Sequence, residues 1–225
     1  MSAPNSDFIN AYKFDNSIIT DSYKIKDNKG NIVNLDGIIN PLVVDNRHLV
    51  SPMDNQRSTN ACAAYSAATI VESLYWKRTG KLKQLNSHQI YAKAKEIDGN
   101  PNQYGTRLEM AFDAIFNLCK NDPEFSFLNN AKKYVSGNDG TINTINIYKF
   151  LLHKDDFLQA GFLLDDGWCN CTNTNYIIKK GTKKLGGHAV VLAGYVPEGF
   201  IICNSWGTNW GAKGFGILPY DLFLE

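Results

Sequence analysis

Residues 62–78, Cys-Ala-Ala-Tyr-Ser-Ala-Ala-Thr-Ile-Val-Glu-Ser-Leu-Tyr-Trp-Lys-Arg, leave this chain few ways to fold. They contain no Pro or Gly and are apolar on nearly every face until Glu72. A helix of that kind has no side to offer to water and belongs in the centre of the protein. Gly80 is placed to end it. The rest of the chain has to wrap it. A length of 225 residues, 44% of them hydrophobic, suffices for one domain or two packed lobes.

The flanking patterns say what does the wrapping. A second helix is expected to start near Asn86, with Gln89 three residues on as a capping box. A third is expected from Thr106, with Glu109 in the same relation. Its apolar positions Leu108, Ala111, Phe112, Ile115, Phe116 and Cys119 keep helical spacing, and Asn121-Asp122-Pro123 stops it. A fourth helix is expected over 142–153. The period then changes. Residues 159–164, 187–196, 199–204 and 214–218 are short runs rich in Val, Ile, Leu and aromatics, bounded by Gly, Pro or Asp, and read as strands. Helices in the first half and strands in the second predict an α+β protein, with a cleft between lobes as the place for a site. Residues 1–41 are polar and broken, with a turn at 27–31, and read as an N-terminal extension on a domain spanning 42–225.

Charge and cysteines narrow the function classes. A formal net charge of +1 gives no electrostatic case for nucleic acid or an anionic membrane. No run approaches the roughly 18 apolar residues that span a bilayer. The N-terminus shows no basic region followed by an apolar run, so no secretory signal is expected. The five cysteines, Cys62, Cys119, Cys169, Cys171 and Cys203, are odd in number, and Cys169-Asn170-Cys171 lacks the spacing of a zinc site. They read as mostly reduced thiols in a reducing, cytoplasmic setting.

Three segments carry chemistry. In 54–66 a loop becomes the central helix at Cys62, where the helix dipole favours a thiolate. In Gly186-Gly187-His188-Ala189-Val190-Val191 a histidine opens an apolar strand, and beside a thiol it would form a thiolate–imidazolium pair. In 203–211, Asn204 ends a strand, where its amide can fix a histidine tautomer. Gln56 can offer its amide to an oxyanion together with the Cys62 N–H. Each element alone has a plainer reading: a buried thiol as a small apolar residue, a satisfied core histidine, a turn asparagine, core tryptophans at Trp206 and Trp210. Together they form a constellation.

That constellation resembles the papain-like cysteine peptidase family, in which glutamine, cysteine, histidine and asparagine follow in chain order. Here these are Gln56, Cys62, His188 and Asn204. The histidine follows the cysteine at close to the roughly 130 residues expected. Asn-Ser-Trp-Gly-Thr-Asn-Trp-Gly at 204–211 is a long match, and 44–56 and Leu85-Asn86-Ser87-His88-Gln89 resemble further family segments. The resemblance spans about residues 40–220. It implies a two-lobe fold, with a helical lobe over about 62–125 and an antiparallel, β-barrel-like sheet lobe over about 140–220. It also implies peptide-bond hydrolysis through an acyl-thioenzyme, with no metal or cofactor, on a peptide or protein substrate by a monomer. Trp206 would shield the Asn204–His188 hydrogen bond. Gly187 and Trp210 are expected beside the substrate.

The chain departs from the family around the cysteine. Thr59 replaces a disulfide cysteine, Asn60 and Ala61 replace glycine and serine, and Ala63 replaces a tryptophan, which should widen or reshape the cleft floor. These absences resemble the prokaryotic or viral branch, without the usual disulfides or long pro-domain. The double-glycine strip that binds substrate backbone in the family is missing, and Gly105 within Gln103-Tyr104-Gly105-Thr106 stands in for it. Residues 1–41 are either a short pro-segment across the cleft or a strand added to one lobe. The same triad also serves amidases and acyltransferases acting on side-chain or non-peptide amides, and a binding homologue with a weak site is a third reading.

Overall fold

The computed structural model describes residues 40–52, 54–130 and 142–225. Both expectations for 1–41, the turn and the extension, lie outside the described residues, apart from Asn40 and Pro41. The long apolar run forms helix α1 (Cys62–Thr79), ended by Gly80 at φ +68°. Its side chains are buried on every side from Cys62 to Ser73. Helices α2 (Ser87–Asp98) and α3 (Leu108–Cys119) pack against one side of it. Ala64, Ala68 and Tyr75 of α1 there meet Ile90 and Ala94 of α2 and Ala111, Ala114 and Ile115 of α3. The small alanines on all three helices let their axes approach closely.

The Asn86 cap forms, its Oδ1 accepting the Gln89 N–H at 3.0 Å. The cap expected at Thr106 does not. That hydroxyl instead donates to Asp98 Oδ2 at 3.0 Å, Glu109 pairs with Arg107, and α3 starts two residues later. A tertiary partner has outcompeted a local one.

The second half of the chain supplies all but one strand of the sheet, with a helix, α4 (Ile142–Asp155), ahead of them. The strands are β1 (Val44–Asp45), β2 (Leu158–Asp165), β3 (Lys184–Val196), β4 (Gly199–Cys203) and β5 (Phe215–Pro219), all antiparallel. The long β3 is the hub. One of its edges takes β2 and then β1, and the other takes β4, which pairs with β5. Gly194, at φ +142°, permits the β1 crossing, since a Cβ there would lie 2.1 Å from the Val44 carbonyl oxygen. The sheet is open, which corrects the barrel-like expectation. β1 has only two residues, and beyond β4 the strand β5 meets only isolated bridges, at Ile177 and Ala212, among the described residues. The exposed face is covered by helices instead: Ile145 and Leu152 of α4 and Phe223 of α5 (Tyr220–Leu224) pack on Leu192, Phe200 and Ile202. Each such fully buried side chain contributes roughly 1.5–3 kcal/mol. A third cluster, Val50, Ile70, Phe157, Val191, Ala193, Ile201 and Cys203, joins α1 to the opposite face of the sheet.

One buried charge lies in this frame. Glu72 on α1 accepts the Leu85 N–H at 2.7 Å and the Ser51 hydroxyl at 3.0 Å, with no cation beside it among those contacts. Burial pushes its carboxyl up to about 7. A folded value above the unfolded 4.5 means that the folded chain holds the proton more tightly. Stability from this group is therefore full below pH 4.5 and falls as pH rises through about 7. Glu72→Gln, which keeps the shape, should match wild type at pH 5 and be more stable by roughly 2–3 kcal/mol at pH 8. Urea unfolding at the two pH values measures this, and parallel wild-type and variant profiles would refute it.

Candidate active site

The site lies where the first turn of α1 meets β3 and the end of β4. Cys62 is the first residue of α1, and Ala61 before it gives the helix no side-chain cap. The first backbone N–H groups are thus uncommitted to a capping side chain, and their partial positive charge lies around the sulfur. Burial pushes the thiol up to about 11, opposed by the backbone N–H groups of Ala189, Ala63 and Cys62 itself. The role of Ala189 places the sulfur against β3, one residue past His188.

His188 is fully buried opposite Phe162 of β2. Its Nε2–H donates to Asn204 Oδ1 at 2.8 Å. Asn204 directly follows Cys203, the β4 residue facing Val191. With Nε2 carrying the proton, Nδ1 holds the ring's lone pair. That nitrogen is buried and makes no hydrogen bond with any described residue. Burial pulls the imidazole down to about 4, against the opposing pull of Asn204. Trp206 covers the ring, with centroids 5.0 Å apart and planes 34° apart. Burial thus works against each charged form of the thiolate–imidazolium pair expected from a histidine beside the thiol. Desolvation outweighs the dipole here.

Gln56 is held from both lobes. Its backbone N–H donates to the Ser205 carbonyl at 2.8 Å, and its Oε1 accepts the Ser205 hydroxyl. One N–H of its amide goes to the Thr59 carbonyl at 2.8 Å, leaving the second for another acceptor. Asn55 bridges to Trp206 in the same strip. Gly207 (φ +78°) makes room there, since a Cβ would meet the Asn55 amide at 2.6 Å.

The expected substrate-side residues divide. Trp206 is half-buried over the imidazole. Trp210 belongs to the sheet core, where its indole N–H goes to the Trp168 carbonyl at 2.8 Å. Gly187 is half-buried in β3, opposite the exposed Leu163. Gly105, at φ +74°, has both backbone polar groups engaged within the protein. Ala63 is buried, and Gln159 of β2 donates its amide to the Ala63 carbonyl and the Ser66 hydroxyl, both at 2.7 Å. Ser66 in turn donates to the Cys62 carbonyl at 2.8 Å. Gln159 and Ser205 are the positioning residues that the sequence reading missed. Ser205 was visible inside the Asn-Ser-Trp run, whereas a glutamine near a strand start carries no signal of its own. None of the five cysteines forms a disulfide.

No family model matches the chain. It is 24% identical to cathepsin L2 of Homo sapiens over 207 residues, covering 76% of this chain and 58% of that protein. It is 25% identical to papain of Carica papaya over 205 residues, covering 80% of this chain and 55% of papain. The chain thus spans somewhat over half the length of these curated relatives. In structure it matches xylellain, a cysteine protease from Xylella fastidiosa, with TM-score 0.64 at 20% identity, covering 96% of this chain and 87% of that one. It matches procathepsin B S9 of Trypanosoma congolense with TM-score 0.61 at 14% identity, covering 97% and 83%.

Proposed function

We propose that this chain, papain-like in fold and similar in sequence to papain and the cathepsins L, is a cysteine peptidase that cleaves peptide bonds through an acyl-thioenzyme. The observation that carries the reading is the polarity of the histidine. Asn204 takes Nε2–H, so the lone pair sits on Nδ1, the one ring position still open in a site that begins at Cys62. In this reading Nδ1 takes the thiol proton as sulfur attacks the peptide carbonyl, and His188 then returns it to the leaving amine. The second N–H of Gln56 and the Cys62 backbone N–H stabilise the oxyanion. Water later attacks the thioester, with the same histidine as base. Two charges created together in a buried site attract strongly, which offsets the preference of each group for its neutral form. The substrate is a peptide or protein, and the five free thiols suit a reducing compartment.

Full burial of Cys62 favours a second reading, a homologue that binds and barely turns over. Intact mass after brief exposure to an epoxysuccinyl peptide at mildly acidic pH, under reductant, separates the two. The expected result is one adduct on wild type and none on Cys62→Ala, followed by peptide cleavage by wild type only. A wild-type chain that takes no adduct would overturn the peptidase reading. An adduct with side-chain deamidation and no backbone cleavage would assign the site to an amidase.

A further inference from the structure

A groove of about 700 Å³ opens where the turn after β1 meets the loop between β4 and β5. Arg47 and His48 line it from the turn, and Thr208, Asn209 and Lys213 from the loop, with Tyr176 beside them. No Asp or Glu among the described residues lines it. The fold leaves most of these donors unused. The His48 ring, the Lys213 ammonium, the Thr208 hydroxyl and the Asn209 amide donate to no described residue. Asp45, outside the lining, takes Nε and Nη2 of Arg47 at 2.9 and 2.6 Å, so Nη1 stays open.

The frame behind them is stiff. The Gly211 N–H donates to the Thr172 hydroxyl at 2.8 Å, and that hydroxyl donates to the Asn209 carbonyl at 3.3 Å. The Gly214 N–H closes the loop onto the Trp210 carbonyl at 2.7 Å. Two lining residues stand in backbone conformations that suit glycine, Lys213 at φ +55° and Tyr176 at φ +65°. Such outliers cluster at ligand clamps and active sites. Tyr176 remains 43% exposed.

We infer that this groove is an oxyanion site, taking a phosphate or sulfate group either as the free ion or as an ester on a larger molecule. A tetrahedral oxyanion offers only acceptors and carries negative charge, the complement of a wall built from cations and neutral donors. Lys213 and Arg47 supply fixed charge, and Thr208 and Asn209 supply neutral hydrogen bonds. Tyr176 gives a flat apolar surface to whatever carries an ester. The site does not rest on the peptidase reading, because none of Gln56, Cys62, His188 and Asn204 lines it.

The test is a titration of the whole chain with inorganic phosphate, sulfate and phenyl phosphate, followed by backbone amide NMR at constant ionic strength in chloride. Saturable shifts are expected at Thr208, Asn209 and Lys213, with Kd of roughly 1–10 mM for phosphate. Lys213→Gly suits the backbone at φ +55°, so it should fold at least as well as wild type while weakening phosphate by roughly fivefold or more. Lys120→Gln, an exposed lysine at the end of α3 outside the groove, should leave Kd within about twofold, since salt screens a charge that distant. Phenyl phosphate binding tighter than phosphate, with the gain lost in Tyr176→Gly, supports the ester; equal affinities support the free ion. Shifts that do not saturate, an unchanged Kd in Lys213→Gly, or an equal loss in Lys120→Gln would each overturn the site.

Discussion

His188→Ala should lower kcat/KM for peptide cleavage by roughly 10⁴- to 10⁶-fold, the scale seen when a nucleophile loses its base. The expectation is steep because Cys62 is poorly armed by itself. Burial holds its thiol up at about 11, so almost none is thiolate at neutral pH without a base to take the proton. The same geometry fixes the acid limb. His188 must be neutral to accept that proton, and burial keeps it neutral down to about 4. As pH falls through that value the imidazole is protonated in advance and the rate should drop; above it the rate should hold. A rate profile from pH 3 to 8 reads this directly. A loss under tenfold in His188→Ala, in a variant that melts like wild type, would remove His188 from the role of base.

Gln56→Ala should cost roughly 10²–10³ in kcat with KM little changed, as expected for a donor that acts only once charge has developed on the substrate oxygen. The residue also receives the Ser205 hydroxyl, so truncation loosens the strip between the lobes. A second readout separates the two effects. Epoxide alkylation of Cys62 builds no tetrahedral oxyanion, so its rate in Gln56→Ala should stay near that of wild type while amide cleavage collapses. Parallel losses in both reactions would show that Gln56 acts by holding the site together and not by donating to the oxyanion.

Much of this was legible from residue patterning because it depends on period and composition. A helix apolar all round has one place to go, and α1 lies there. The Asn86 cap is local chemistry and forms as its residues suggest. The strands follow their β-branched runs to within a few residues. What patterning missed was decided by long-range partners. Thr106 has the credentials of a cap, and Asp98 took its hydroxyl. Val44 and Asp45 make a strand too short to show any alternation. The 3₁₀ stretch at Trp168–Thr174 has no period long enough to read. In the site, the reactive groups sit in segments whose neighbours mark them out. Gln159 lies nearly a hundred residues from the helix turn it holds, in a strand that looks otherwise ordinary. An indole in a Trp-Gly repeat can face either way, and at Trp210 the Trp168 carbonyl draws the N–H inward.

The hydrogen bonds between Gln56 and Ser205 also have a consequence in time. Gln56 and Cys62 are made early in synthesis, whereas His188, Asn204 and Ser205 come more than a hundred residues later. Pairings so distant in sequence close late, because the loop entropy must be met before they form. On the peptidase reading, a growing chain therefore carries its sulfur unarmed beside the ribosome, next to polypeptides that it would otherwise cut. The thiol gains its base only when the stretch through Trp206 has emerged and docked. On that reading the order of the residues along the chain works as a delay, keeping the proposed site silent until its last elements have docked.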